Sequence, residues 1–195
     1  DGKPPQVPCL SEVEELDFPA PLGLLEAAVT SGGLSTAPWT FAGKLQRLEN
    51  KTLRYPGHWQ TFQAFQQLGL FEQTPVAMKE DRFIPREVFH TLLQPKISSD
   101  TIRDICVIRV RCEGEIDGKS AVCTLDLCET FDEETHFTAM EKFTGWHASM
   151  VAILSAQGKL PKGAIPIEKA LSGEMLKEEA KKRGWVIKNN ALLGV

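Results

Sequence analysis

Apolar residues recur along this chain with two periods, and the change of period marks the elements. From His58 to Leu68 the large apolar residues Trp59, Phe62, Phe65 and Leu68 are spaced by three. That spacing predicts a helix, with Gly69 as its stop. Pro85 to Leu93 predicts a second, shorter helix with Pro in its first turn. Thr138 to Gln157 predicts the longest helix. Its stripe is Met140, Phe143, His147, Met150, Val151 and Leu154, and Gly158 ends it. Gly145 interrupts that run at a cost of about 1 kcal/mol relative to Ala. Its presence predicts close approach of a ligand or backbone, or a helix that starts only near Gly145. Ser172 is placed to cap a last helix that reaches Arg183, with Gly184 just past its end.

Strand periodicity governs the rest. Residues 104–113 and 119–130 alternate on either side of Asp117-Gly118, a strong type I′ turn signal. A two-residue loop pairs Ile116 with Lys119. It then sets Cys112 opposite Cys123, Val110 opposite Leu125 and Ile108 opposite Leu127. The other face matches Arg109 with Asp126 and Arg111 with Thr124. A one-residue slip would destroy this sorting of apolar from polar, so the register is well specified. The polar face is predicted to meet solvent or a second subunit. Shorter strands are expected at Glu12 to Phe18, Leu45 to Tyr55 and Trp185 to Lys188, with a short apolar stretch at Leu24 to Thr30. The fold class these elements imply is α/β in the α+β sense: a mixed, largely antiparallel sheet with helices on one face.

Composition narrows the class. The chain has 195 residues, 42% of them hydrophobic and 25% charged, with a net charge of −4. This is globular composition, long enough for a sizeable core. The densest basic cluster is Lys181-Lys182-Arg183, where a helix end favours cations; a nucleic-acid partner is not expected. The charged run from Lys177 to Arg183 reads as a solvated helix face. No apolar run approaches the ~18 residues of a membrane span, so no membrane partner is expected. The five cysteines, Cys9, Cys106, Cys112, Cys123 and Cys128, contain no Cys-x-x-Cys pair. They read as reduced core thiols of a cytoplasmic protein. The histidines, His58, His90, His136 and His147, lack ligand spacing, so no metal site is expected. There is no Gly-x-Gly-x-x-Gly, no phosphate-binding Walker loop and no Gly-x-Ser-x-Gly.

Candidate chemistry gathers in Lys51-Thr52-Leu53-Arg54-Tyr55-Pro56-Gly57-His58-Trp59, at a strand-to-helix turn. Arg54 suits a carboxylate by a two-pronged hydrogen bond, or a surface partner of its own chain. Tyr55 and His58 suit proton transfer; the plainer alternative is a core cap and a first-turn helix residue. The amides after Gly57 open a helix and are placed to face an anion. Thr30-Ser31-Gly32-Gly33-Leu34-Ser35-Thr36 reads as a pocket wall or as a simple turn. Thr144-Gly145-Trp146-His147 reads as a ligand approach or as ordinary core.

Taken together, these strings resemble the saccharopine dehydrogenase family, in particular its lysine 6-dehydrogenase-like branch. The resemblance rests on Lys51 to His58 and on three blocks in order. They are Leu25-Glu26-Ala27 with Thr30 to Ser35; Thr138-Ala139-Met140 with Thr144-Gly145; and Gly163 to Glu168 with Arg183-Gly184. The resemblance implies a two-part enzyme that oxidises a C–N bond of an amino acid such as lysine or saccharopine. Hydride passes to a nicotinamide and an imine forms. An N-terminal Rossmann domain would bind NAD or NADP. This sequence matches the second part: a linker arm at residues 1–12, then a substrate-binding and dimerisation domain over 13–195 whose last segment returns to the Rossmann part. Its partners would be an amino-acid substrate, that Rossmann domain and a second copy in a homodimer. The resemblance implies Arg54, Ser31, Gly32, Gly33, Thr144 and Gly145 as substrate contacts, and Tyr55 and His58 as the candidates for catalysis. The alternative function is a non-catalytic dimerisation module that kept the fold.

Overall fold

The chain's elements sort into two units in the computed structural model, Asp1–Ser98 and Ser99–Val195. It describes residues 4–31 and 33–193.

The first unit begins with β1 (Glu14–Phe18) and β2 (Gly23–Ala28), continues through the short α1 (Ala37–Thr40), and adds β3 (Thr52–Arg54). The three strands form an antiparallel sheet in the order β1-β2-β3. The helix expected after Arg54 is present as α2 (His58–Gln67). A hairpin of β4 (Val76–Met78) and β5 (Asp81–Phe83) leads into α3 (Pro85–Ile97). The threefold spacing in α2 puts its rings on one side. Trp59 is buried against Leu10 and Ala28, with Phe62 and Phe71 packed around them. Phe89 of α3 meets Phe65 at 5.4 Å and Phe71 at 5.1 Å between ring centroids. Leu10 also bonds through its backbone to Val29 and accepts from the Gln63 amide.

The strand expected over 45–55 shrinks to Thr52–Arg54. A strand exists only where its backbone groups find a partner. β2 offers β3 just three positions, Glu26 to Ala28, opposite Arg54 to Thr52. Beyond Ala28, Val29 bonds instead to residues 10 and 11. Helix α3 runs past the expected Leu93 and through Pro95, with its final turn closed by Ser98 donating to the Gln94 carbonyl.

The second unit is built on a hairpin of β6 (Ile105–Ile116) and β7 (Lys119–Thr130). Its register is the one the sequence predicts, from Ile116 opposite Lys119 to Ile108 opposite Leu127. Asp117 and Gly118 both take positive φ, 52° and 72°, as a type I′ turn requires. There follow α4 (Ala139–Glu141), a π-helical turn over Lys142–Trp146, α5 (His147–Ala156), α6 (Ile167–Ala170), α7 (Gly173–Lys182) and β8 (Lys188–Leu193). β8 pairs antiparallel with β7, giving the order β6-β7-β8. The fold is thus α+β with small antiparallel sheets.

The predicted helix over 138–157 is continuous but changes pitch at the π turn. A π turn inserts one extra residue, so the inward face shifts by roughly 100°. Phe143, Met150 and Leu154 stay on the core side, whereas Met140 is 59% exposed and Lys142 is buried in its place. The expected strand at 185–188 starts three residues late. Trp185 instead plugs the core against Met150 and Ala180, stacked on Trp146.

Three surface expectations also change. Ile108 and Val110, on the hairpin's apolar face, are 45% and 48% exposed. The bidentate Arg109–Asp126 pair on the polar face is more shielded than either. Glu179 in the charged run of α7 is buried. It accepts from Lys182 at 2.5 Å and Arg183 at 2.8 Å, and these bonds, Lys182's first, hold its carboxyl below the usual range. None of the five cysteines is fully buried, and Cys9, Cys112 and Cys128 are exposed.

The helical run 139–156 is anchored by one carboxylate. Asp104 accepts from Ala139 N at 2.7 Å and Met140 N at 2.9 Å, beside a Thr138–Glu141 capping box. Asp104→Ala should therefore lower stability by about 1–2 kcal/mol, read as a lower urea midpoint at unchanged m value.

Candidate functional site

The turn from β3 into α2 is set by backbone geometry. Gly57 sits at the N-cap of α2 with φ +89°, a left-handed conformation that Gly adopts without steric cost. The turn brings Arg54 at the end of β3 and His58 at the start of α2 to one hollow of about 430 Å³. Its walls are mainly apolar: Leu10, Trp59, Phe62 and Phe71, with Cys9, Thr30, Thr52 and Gln66 contributing polar atoms. Thr30 and Thr52 share a hydrogen bond of 2.7 Å between their hydroxyls, which ties the two strands behind the hollow.

His58 lies in an aromatic bracket. Its ring stacks on Phe62 at 4.4 Å and meets Trp59 edge-on at 4.8 Å. Partial burial pushes its pKa below the usual 6.5, and the nearby Arg54 charge pushes the same way, with Glu26 opposing. At neutral pH it is therefore an uncharged imidazole, able to accept a proton. Arg54 is exposed. Its guanidinium donates to the Leu53 carbonyl at 2.7 Å and stands 5.9 Å from the centre of the Trp59 ring. The fork keeps donors for a ligand anion.

Glu26 joins this group unannounced by local sequence. It pairs with Arg54 across β2 and β3. Its carboxylate accepts from Gly57 N at 3.2 Å, and its carbonyl accepts from Trp59 Nε1 at 3.0 Å. The Gly57 amide, just ahead of those expected to face an anion, thus faces the chain's own carboxylate, and the next one, His58 N, donates to the Tyr55 carbonyl at 3.3 Å. Only the strand register, which brings Glu26 opposite Arg54 over 28 positions of sequence, could have revealed this.

The other predicted positions are distributed as follows. Tyr55 is 55% exposed and does not line the hollow. Ser31 is exposed beside Thr30, and Gly32 lies outside the described residues. A Cβ on Gly33 would lie 2.5 Å from Asn50 Oδ1, so the strand-to-helix turn there uses a close approach of that side chain. Thr144 and Gly145 belong to the second unit, in the π turn. A Cβ on Gly145 would meet nothing within 4 Å among the described residues, so no other backbone packs against it there. A smaller hollow of about 330 Å³, lined by Pro75, Arg82, Phe83, Ile84 and Glu87, holds none of the predicted residues.

Aromatic walls, one cationic fork and one uncharged imidazole are together able to hold an anionic group and to accept a proton. The family model of the saccharopine dehydrogenase C-terminal domain matches residues 1–184, and the chain belongs to that family. The family is one of saccharopine dehydrogenase-type, NAD(P)-dependent oxidoreductases, and this domain is its substrate-binding type. Among the described residues the sheets do not form a Rossmann-type dinucleotide cradle. Every strand pair is antiparallel, whereas a dinucleotide cradle needs the turn of a parallel βαβ unit. Among the described residues, no helix is long and apolar enough to cross a membrane.

Proposed function

We propose that this chain is the substrate-binding part of a cytoplasmic, NAD(P)-dependent amino-acid dehydrogenase of the lysine 6-dehydrogenase kind, which oxidises a C–N bond to an imine. The observation that carries this reading is the shared hollow of Arg54 and His58. Arg54 holds the substrate carboxylate through its fork, and the aliphatic chain lies along Trp59, Phe62 and Phe71. His58, uncharged at neutral pH, takes the proton that an ammonium must lose before its carbon can be oxidised. Tyr55, next to Arg54 in sequence, is the alternative proton acceptor. Ser31 and Gly33, in the same unit as Arg54 and His58, are further proposed contacts. NAD or NADP is assigned to a Rossmann domain elsewhere in the protein.

The test is the pH profile of the full-length enzyme. The His58 pKa lies below 6.5 in the folded chain, so the imidazole is a competent base above that point and loses its role as pH falls through it. An acid limb in kcat/KM below pH 6.5 is expected, and His58→Gln should remove it while lowering kcat by about 10²-fold or more. A His58→Gln enzyme that keeps the limb and the rate would exclude His58 as the base. Full-length protein that is inert with NAD(P) toward lysine and its adducts would favour the assembly-module reading.

A further inference from the structure

Four of the five cysteines sit in the β6–β7 hairpin: Cys106 and Cys112 on β6, Cys123 and Cys128 on β7. The register sorts them. Cys112 stands directly opposite Cys123, whereas Cys106 faces Glu129 and Cys128 faces Val107. Residues on one rung share a face of the sheet, and side chains alternate along each strand. Cys112 and Cys123 thus lie side by side on the face that carries Val110 and Leu125. We propose that Cys112 and Cys123 form a reversible disulfide across the hairpin, closed by a small-molecule disulfide and reopened by thiols.

Three observations carry this. The first is spacing. Ile116 and Lys119 close the two-residue turn as a hydrogen-bonded pair, and the rung of Cys112 and Cys123 has the same parity. The Asp104 carbonyl, which accepts from Phe131 N, continues that parity past the strand end. Such a rung sets the Cα atoms about 5.5 Å apart, within the ~4.4–6.8 Å that a disulfide spans. Its Cβ atoms are about 5 Å apart, against the ~3.8 Å of a relaxed disulfide. Closing the bond draws the strands together, so the product is strained and readily reduced. In a reducing compartment a bridge of this kind closes only when small disulfides accumulate.

The second is access. Cys112 is exposed and Cys123 is half-buried. The next residue of β6 on that face is Gly114, where a Cβ would meet nothing within 4 Å among the described residues. Open space therefore lies beside Cys112 along its own strand, where a small disulfide can approach.

The third is what the competing contacts are worth. Cys123 donates a long S–H bond of 3.5 Å to Asn189 Oδ1 on β8. A thiol is a weak donor, so giving up that contact loses little. Cys128 is exposed too, but alternation puts it on the opposite face. Burial, and then the Glu129 charge, pushes its thiol up, so it holds less thiolate at neutral pH.

The chemistry is a two-step exchange. The Cys112 thiolate attacks one sulfur of the small disulfide, forms a mixed disulfide and expels one small thiolate. The Cys123 thiolate then attacks the Cys112 sulfur and expels the second. One protein S–S bond forms and one small-molecule S–S bond breaks. Two electrons pass to the small disulfide, and its two thiolates take up the two protons that the cysteines lost. The more exposed thiol attacks first, and the half-buried one resolves the adduct. The pair belongs to the second unit and Arg54 and His58 to the first, so this reading and the catalytic one stand or fall separately.

The experiment incubates the full-length protein with oxidised glutathione and maps the products by peptide mass. The wild-type peptides that carry Cys112 and Cys123 should be recovered joined, and should separate after dithiothreitol. C123S should stop at the first step, with glutathione retained on Cys112. The wild-type chain should keep about tenfold less glutathione on Cys112 than C123S does, because Cys123 displaces it. Cys112 and Cys123 recovered unlinked, or a wild-type adduct on Cys112 as abundant as in C123S, would overturn the proposal. So would a bond from Cys112 to any other cysteine, in the same chain or in a second copy.

Discussion

Arg54→Ala in the full-length enzyme raises KM for the amino-acid substrate by about 10- to 100-fold, the loss expected for a charge-assisted hydrogen bond worth ~1.5–3 kcal/mol. The fold should not suffer. The Arg54 side chain is exposed, and its own hydrogen bond goes to the neighbouring Leu53 carbonyl. The melting temperature should therefore stay close to wild type. Arg54→Lys separates charge from geometry. A lysine keeps the positive charge but not the planar fork, so it should recover only part of the affinity. The assembly-module reading predicts no kinetic change in either variant. Unaltered KM and kcat in Arg54→Ala would therefore remove Arg54 from the substrate site and leave the hollow without its anion-binding group.

The second large effect is on stability. Lys142→Ala lowers the unfolding free energy of the second unit by about 3–5 kcal/mol, the usual cost of stranding one partner of a buried ion pair. The Lys142 and Glu129 side chains are 7% and 15% exposed, and the ammonium contacts the Glu129 carboxylate directly. The ammonium also lies 5.7 Å from the Trp146 ring centre. Alanine would leave the Glu129 charge shielded from water and without its counterion. The control is Lys142→Met with Glu129→Leu, which removes both charges at similar volume and should recover most of the lost stability. Urea unfolding followed by tryptophan fluorescence distinguishes these outcomes. A Lys142→Ala midpoint equal to wild type would mean that water reaches the pair and compensates it.

The hairpin was fully legible in the sequence. A two-residue Asp-Gly turn and two alternating strands leave one register that sorts apolar from polar, and that register is the one observed. The α2 face was legible for a similar reason, since Trp59, Phe62 and Phe65 recur at a helical period. The π turn was not. Its signal was a lone Gly145, and Gly inside a helix fits a cap, a contact or a bulge equally well. The Lys142–Glu129 pair follows from that turn, so it was hidden too. At the site, Arg54 and His58 were found by their nearness in sequence. Glu26 was missed as a site residue because it belongs to the group through a cross-strand pairing. Tyr55 shows the converse: it is adjacent to Arg54 in sequence, yet it points to solvent and not into the hollow.

What the sequence determined by itself is what a short period or a short loop governs: the hairpin and its register, the starts of the main helices, and the turn that brings an arginine within four residues of a histidine. Local sterics and hydrogen bonds fix those features before any distant contact forms. Tertiary structure alone decided which faces are covered. It left Ile108 and Val110 half bare, buried Lys142 and Glu179, and placed Glu26 beside the Arg54–His58 mouth. Coverage depends on what packs across a face from far along the chain, and no periodicity within one element records that.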